Sequence, residues 1–203
     1  MIGDSVIEKA EGFVRELFAT DASGHDVHHT LRVARLASRL AEGEGADTRI
    51  AVLAALLHDA DDAKLFPETA GSLANARGFL AANDVVGEDA EAVLTAIREV
   101  SFTRNRDSEP STLEAACVRD ADRLDALGAI GVARTFAYGG AHGRAMHDPS
   151  GQDGSTSIAH FHDKLLKLAS MMRTSEGKRM AEARDATLRR FLDDFLAEWD
   201  AER

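Results

Sequence analysis

Ile50-Ala-Val-Leu-Ala-Ala-Leu-Leu57-His58-Asp59 is the stretch on which the fold of this chain turns. The run from Ile50 to Leu57 is apolar throughout, shows no two-residue alternation, and follows Asp47-Thr48, either of which can cap a helix start. The pattern predicts a helix that is apolar nearly all round and therefore sits at the centre of the fold. Such a helix commonly ends on Gly, Asn or Lys. This one ends on His58-Asp59, followed by Asp61, Asp62 and Lys64. A charge at the end of a buried helix is costly without a partner. A divalent cation is a partner that suits imidazole and carboxylate together.

Helical periodicity continues on both sides of this stretch. Helices are predicted over Ser5–Ala19, with Ile7, Phe13, Val14 and Phe18 as an apolar stripe, and over Asp26–Ala41, with Val33, Leu36, Ala37 and Leu40 facing the core. Others follow near Leu73–Ala82, Asp89–Val100 and from Ser111 or Thr112 through Leu124, where Glu114 completes a capping pattern. Leu127–Phe136 continues that helix or succeeds it after a kink, and Ile158–Met172 and Ser175–Trp199 close the chain. Gly139–Ser157 is the one long irregular segment, and it reads equally as a lid over a site or as a disordered surface loop. With only three prolines and no strand-type alternation, the chain is expected to be all-α, a single globular bundle of about seven to nine helices. The single domain would span residues 1–203, with its core motifs in about 25–135 and the helices of 158–200 packed on it.

Composition narrows the function. The 24 Lys and Arg against 35 Asp and Glu leave a formal charge of −11, which argues against a long nucleic-acid footprint. A small anionic substrate is still compatible, because one metal ion and a few local cations can outweigh the overall charge. Cys117 is the only cysteine, so there is no intramolecular disulfide and no thiolate cluster. No apolar leader precedes the first helix, and the Ile50–Leu57 run is too short to span a bilayer. A soluble, cytoplasmic protein without a membrane partner is expected, and a homodimer is left open.

Three places offer metal ligands: His29 in the second helix, His58-Asp59, and Asp122 within Arg119-Asp120-Ala121-Asp122-Arg123-Leu124-Asp125. Neighbouring residues on a helix point about 100° apart, so His58 and Asp59 share an ion only if it lies between their directions. From the residues alone, metal binding and a set of ordinary hydrogen-bonded or solvated groups are evenly matched.

The order of motifs resolves that balance. Gly24-His25-Asp26-Val27-His28-His29-Thr30-Leu31-Arg32-Val33, Leu56-Leu57-His58-Asp59-Ala60-Asp61-Asp62-Ala63-Lys64-Leu65 and Val118-Arg119-Asp120-Ala121-Asp122-Arg123-Leu124-Asp125-Ala126-Leu127-Gly128 follow one another in the chain. A fourth block, Thr156-Ser157-Ile158-Ala159-His160-Phe161-His162-Asp163-Lys164-Leu165-Leu166, comes after them. In these blocks the chain resembles the HD superfamily of metal-dependent phosphohydrolases, and within it the small stand-alone bacterial HD proteins. The resemblance implies His29, His58, Asp59 and Asp122 as ligands of one divalent ion, Mn or Mg first, with Co, Ni, Fe or Zn also compatible. The additional His ligands of di-iron relatives are not assignable in this sequence.

The chemistry that the resemblance implies is attack on phosphorus by a metal-activated water. Asp62, one turn beyond His58, is the candidate base, and Lys64 stands beside it. Arg32, Arg123 and Lys164 are candidates, with Lys64, for neutralising phosphate oxygens. Arg32 reads equally as a salt-bridge partner of Asp59 or Asp26. Asp120 is placed to support a ligand imidazole. The expected substrate is a small phosphorylated metabolite, a nucleotide first, with pyrophosphohydrolysis of nucleoside triphosphates favoured. A nucleotidase or phosphomonoesterase, a non-catalytic nucleotide-binding module, and an oxygenase are the competing readings. Gly139-Gly140 lacks the Gly-Lys-Ser/Thr ending of a P-loop.

Overall fold

A computed structural model describes residues 2–19, 27–101, 105 and 108–202. Every regular element among them is helical, as expected for an all-α chain. The backbone gathers into two compact units, residues 1–122 and 123–203. The division falls inside a continuous helix, so no change of composition marks it.

The first unit contains α1 (Asp4–Leu17), α2 (Val27–Glu44), α3 (Thr48–Leu57), α4 (Ala74–Ala82), α5 (Gly87–Val100) and α6 (Leu113–Asp125) as far as Asp122. At its centre is α3, packed against α1, α2 and α5. Ala51 and the run Leu53–Leu57 are wholly buried. Each buried leucine contributes roughly 1.5–3 kcal/mol through area removed from water. Asp47 caps α3, its Oδ1 accepting from Arg49 N at 2.9 Å and Ile50 N at 3.1 Å. Thr112 Oγ1 caps α6 by accepting from Ala115 N at 3.1 Å. Glu114 does not complete that cap. Its carboxylate instead accepts from Asp47 N at 3.0 Å, holding the start of α3.

The chain between α3 and α4 is a series of turns rather than an open loop. Leu73, which precedes α4, has φ 55° and gives it no side-chain cap. The buried Asp61 supplies one from 14 residues upstream: Oδ1 accepts from Asn75 N at 3.0 Å and Oδ2 from Ala76 N at 2.9 Å.

The second unit begins with the last turn of α6 and continues through α7 (Gly128–Ala141). α8 (Ser157–His160) runs through a π turn (Phe161–Leu165) into α9 (Leu166–Leu168) and a 3-10 turn (Ala169–Met171), and α10 (Ser175–Trp199) follows. Gly128 separates α6 from α7 with φ +69°, a conformation that glycine adopts without steric cost. Phe136 of α7 packs against Phe191 and Phe195 of α10, ring centres 5.7 and 5.8 Å away. Buried Asp125 is neutralised by Arg134, Nη1 to Oδ2 2.6 Å. The irregular segment is shorter than the sequence suggests, because α7 reaches Ala141. Residues 142–156 turn about Asp148, whose carboxylate accepts from Ser150 N, Gln152 N and Asp153 N at 3.0, 3.0 and 2.8 Å. The bond from Asp153, then those from Ser150, pull the Asp148 pKa down to about 2.

Candidate metal centre

Three helices of the first unit bring four side chains together. His29 comes from the first turns of α2, His58 and Asp59 from the end of α3, and Asp122 from α6. His29 Nε2 lies 3.5 Å from Asp59 Oδ2 and 3.5 Å from Asp122 Oδ1. His58 Nε2 lies 3.2 Å from Asp59 Oδ2 and 4.0 Å from Asp122 Oδ1. The two imidazoles stand edge to face, ring centres 5.4 Å apart. Both are almost fully covered, with side-chain exposures of 2% and 3%, whereas Asp122 keeps 29%. The cluster is therefore walled on the histidine side and open on the Asp122 side.

The local fold fixes which nitrogen of His58 faces the cluster. His58 Nδ1 is 2.7 Å from Ala55 O. A carbonyl can only accept, so Nδ1 carries the hydrogen and Nε2 presents its lone pair to the carboxylates in the neutral ring. Nε2 is buried, with Asp59 Oδ2 as its nearest carboxylate oxygen at 3.2 Å. A first-row divalent ion about 2.1 Å from each donor would set neighbouring donors about 3.0–3.4 Å apart, close to three of the four separations. The ligand atoms of His29, His58 and Asp59 all lie within 4.8 Å of one another, a donor set that fits such an ion, and Asp122 Oδ1 stands beside the group.

The electrostatics agree. Burial is the largest influence on His58 and opposes a positive charge there. The Asp59 and then the Asp122 carboxylates outweigh it and push the pKa up to about 9. A field that favours a proton at this nitrogen favours a metal cation at the same place.

The remaining sequence candidates divide. Asp62 is in the turn directly after Asp59, with its N–H donating to Asp59 O at 3.0 Å. Its Oδ1 accepts from Lys64 N at 2.9 Å. Asp62 is half-buried and Lys64 is exposed. Arg32 is half-buried one turn beyond His29 on α2. Asp120 is fully buried on α6, near enough to Cys117 to help raise the thiol pKa to about 12, after burial and Glu44. Arg123 is only 3% exposed, and its Nη1 donates to Met171 O at 2.6 Å. Lys164 is half-buried on the π turn of the second unit. His25 and Asp26 of the first motif lie outside the described residues.

Sequence reasoning missed the clamp behind the ligand turn. Asn75 Nδ2 donates to Ala60 O at 2.7 Å while Asp61 holds the backbone of Asn75 and Ala76. Together they fasten the residues that follow His58-Asp59 to the start of α4. No local signal reveals this, since the partners are 14 and 15 residues apart.

Comparison with known proteins places the all-helical frame in a family. The HD domain model matches residues 26–127. The chain belongs to the HD family. It is 38% identical over 188 residues to YpgQ of Bacillus subtilis, spanning 91% of this chain and 89% of that one. A crystal structure of YpgQ in complex with ADP superposes with a TM-score of 0.80, 34% identity and coverage of 95% and 96%. A crystal structure from Lactobacillus plantarum gives a TM-score of 0.85 at 37% identity, covering 99% and 100% of the two chains. An HD-superfamily hydrolase from Bacillus thuringiensis gives 0.79 at 41% identity, covering 97% and 98%. The fold is thus that of the HD-superfamily hydrolases. Among the described residues, no helix is long and apolar enough to cross a membrane.

Proposed function

We propose that this chain is a divalent-metal-dependent phosphohydrolase acting on a nucleotide, with cleavage of nucleoside triphosphates to monophosphate and pyrophosphate as the favoured reaction. The observation that carries the reading is the buried group of His29, His58 and Asp59, whose ligand atoms lie within 4.8 Å of one another, with Asp122 Oδ1 3.5 Å from His29 Nε2. His29, His58, Asp59 and Asp122 would hold the ion, Mn or Mg first. The complex of YpgQ with ADP supports a nucleotide as the ligand class.

When bound, the ion would supply Lewis acidity to a phosphoryl oxygen and a lowered pKa to a coordinated water. The chain's own residues supply the rest. The Ala55 carbonyl fixes the His58 tautomer, and the Asp61–Asn75 clamp fixes the turn that carries Asp59 and Asp62. Asp62 Oδ1 is engaged by Lys64 N, which leaves Oδ2 to take a proton from the attacking water. Lys64 and Arg32 are the cations proposed to meet phosphate oxygens.

The test is a panel of nucleoside triphosphates, monophosphates and a simple aryl phosphate, each with Mn, Mg, Co and Ni, with product analysis for pyrophosphate against orthophosphate. The expected result is metal-dependent pyrophosphate release that His58→Ala and Asp122→Ala both abolish. Turnover that survives both substitutions would remove this site from the chemistry. Orthophosphate release from monophosphates would favour a nucleotidase. Nucleotide binding without turnover on any substrate would leave a binding module.

A further inference from the structure

α1 carries two aromatic rings that the metal centre does not account for. Phe13 packs on Phe79 of α4, ring centres 5.2 Å apart. Phe18, at the end of α1 and only 3% exposed, packs on Phe66 at 6.2 Å. Both separations lie in the range where tilted aromatic pairs attract. Phe66 belongs to the turns that follow His58-Asp59, so the second pair ties the end of α1 to the segment that carries Asp62.

The backbone of that segment also converges on Phe66. Asp62 N donates to Asp59 O at 3.0 Å, and Asp62 O accepts from Leu65 N at 3.1 Å and Phe66 N at 2.7 Å. Phe66 O in turn accepts from Thr69 N and Ala70 N, both at 3.1 Å, and from Thr69 Oγ1 at 3.3 Å. Asn75 Nδ2, 3.4 Å from Thr69 Oγ1, joins this point to the clamp at the start of α4. Pro67 disfavours a helical backbone at Phe66, so these bonds build consecutive turns and not a helix. Asp62 is thus held between two anchors. Asp61 fastens one side to α4, and the Phe66 ring fastens the other to α1, while Ala63 and Lys64 between them are exposed.

We propose that Phe66 is a positioning residue for the proposed hydrolysis: its ring, seated on Phe18, fixes the turn that presents the Asp62 carboxylate to the attacking water. This role rests on the phosphohydrolase reading and on Asp62 as its base. The ligand side chains come from α2, α6 and the end of α3, none of them between Asp62 and Phe66. Loss of the ring should therefore reach the reaction and spare the ion. A displacement of about 1 Å at a reacting group can cost about a hundredfold in rate.

The experiment measures kcat/KM for the nucleotide turned over fastest with Mn, and Mn affinity by calorimetry, in the full chain. Phe66→Ala is expected to lower kcat/KM by about tenfold or more, with Mn affinity within about twofold of the parent. Phe66→Tyr, which keeps the ring, should stay within about threefold in kcat/KM. Phe13→Leu disturbs the other ring pair of α1 and controls for lost stability, and it too should stay within about threefold. The deciding readout is a double-mutant cycle. In an Asp62→Ala protein, Phe66→Ala should cost less than about threefold more, because the ring acts through a group already removed. Unchanged turnover in Phe66→Ala, a loss that persists in full without Asp62, or an equal loss in Phe13→Leu overturns the proposal. A parent that cleaves no nucleotide would remove the reaction and this role with it; failure confined to the variants would remove this role alone.

Discussion

Replacing Asp61 by Ala tests the frame of the metal centre more sharply than replacing a ligand. The carboxylate accepts two backbone N–H groups at the start of α4, from Asn75 at 3.0 Å and from Ala76 at 2.9 Å. Leu73 offers no side-chain cap to replace it. Ala76 is fully buried, so its amide would lose its partner without access to water, at about 1–3 kcal/mol. Asn75 is half-buried and can recruit water, so its loss resembles that of an ordinary N-cap, about 0.5–2 kcal/mol. The sum, about 1.5–5 kcal/mol, corresponds to a melting point lowered by roughly 3–20 °C for a chain of this length. Asp61→Asn keeps one good acceptor and should recover about half of that loss. Asp62→Ala, the neighbouring control, removes one local bond to Lys64 N and should cost less than about 1 kcal/mol. Calorimetric melting in EDTA and urea unfolding would measure these differences. A calorimetric Mn titration should show about tenfold weaker binding in Asp61→Ala, because the turn after His58-Asp59 is no longer fastened. A melting point within about 2 °C of the parent, or a larger loss in Asp62→Ala than in Asp61→Ala, would refute the reasoning.

Leu56→Ala, at the wholly buried centre of α3, should destabilise the first unit by about 2–5 kcal/mol in urea unfolding. Cys117, buried and with its pKa pushed up to about 12, should resist a thiol-specific reagent at pH 8 in the native protein and react fully once the chain is unfolded. His160 should titrate below pH 6.5 by NMR, and Lys164→Met should move it back upward. Because the folded pKa is depressed, this group's contribution to stability is complete above pH 6.5 and is lost as pH falls through the folded value.

What the sequence reveals follows the range of the interactions. The start of α3 is legible because Asp47 bonds amides two and three residues ahead. α10 begins where its pattern predicts, with Thr174 accepting from Gly177 N at 3.0 Å. Glu114 satisfies the local capping pattern and yet reaches Asp47, 67 residues away, so tertiary geometry overrides the motif. Asp61 looks like any loop acid until α4 folds onto it. Helical spacing places Arg123 beside Asp122, but the bond from its Nη1 to Met171 O, 48 residues away, has no local signal. The convergence of His29, His58, Asp59 and Asp122 could not be read from spacing, because they lie on three helices. The order of the motifs supplied it through resemblance.

The end of α3 shows why the His-Asp pair suits a cation and not merely a polar surface. The last carbonyls of a helix lack partners within it and carry the negative end of its dipole. His58 meets one of them, Ala55 O, with Nδ1, so the bond that satisfies the helix end also turns Nε2 toward the cluster. Asp59 then places a carboxylate, with a side chain only 10% exposed, at the end of the helix where negative charge is least welcome. Asp122 adds a second carboxylate from α6. Two acids at a helix C-terminus, walled by imidazoles, gain from one another only if positive charge lies between them. A proton on His58 supplies one unit of it; a divalent ion supplies two and suits His29, His58 and Asp59, whose ligand atoms lie within 4.8 Å of one another. Replacing His58 by Gln, which keeps an amide near Ala55 O but loses the imidazole, should therefore leave the helix end satisfied while reducing Mn affinity by well over tenfold.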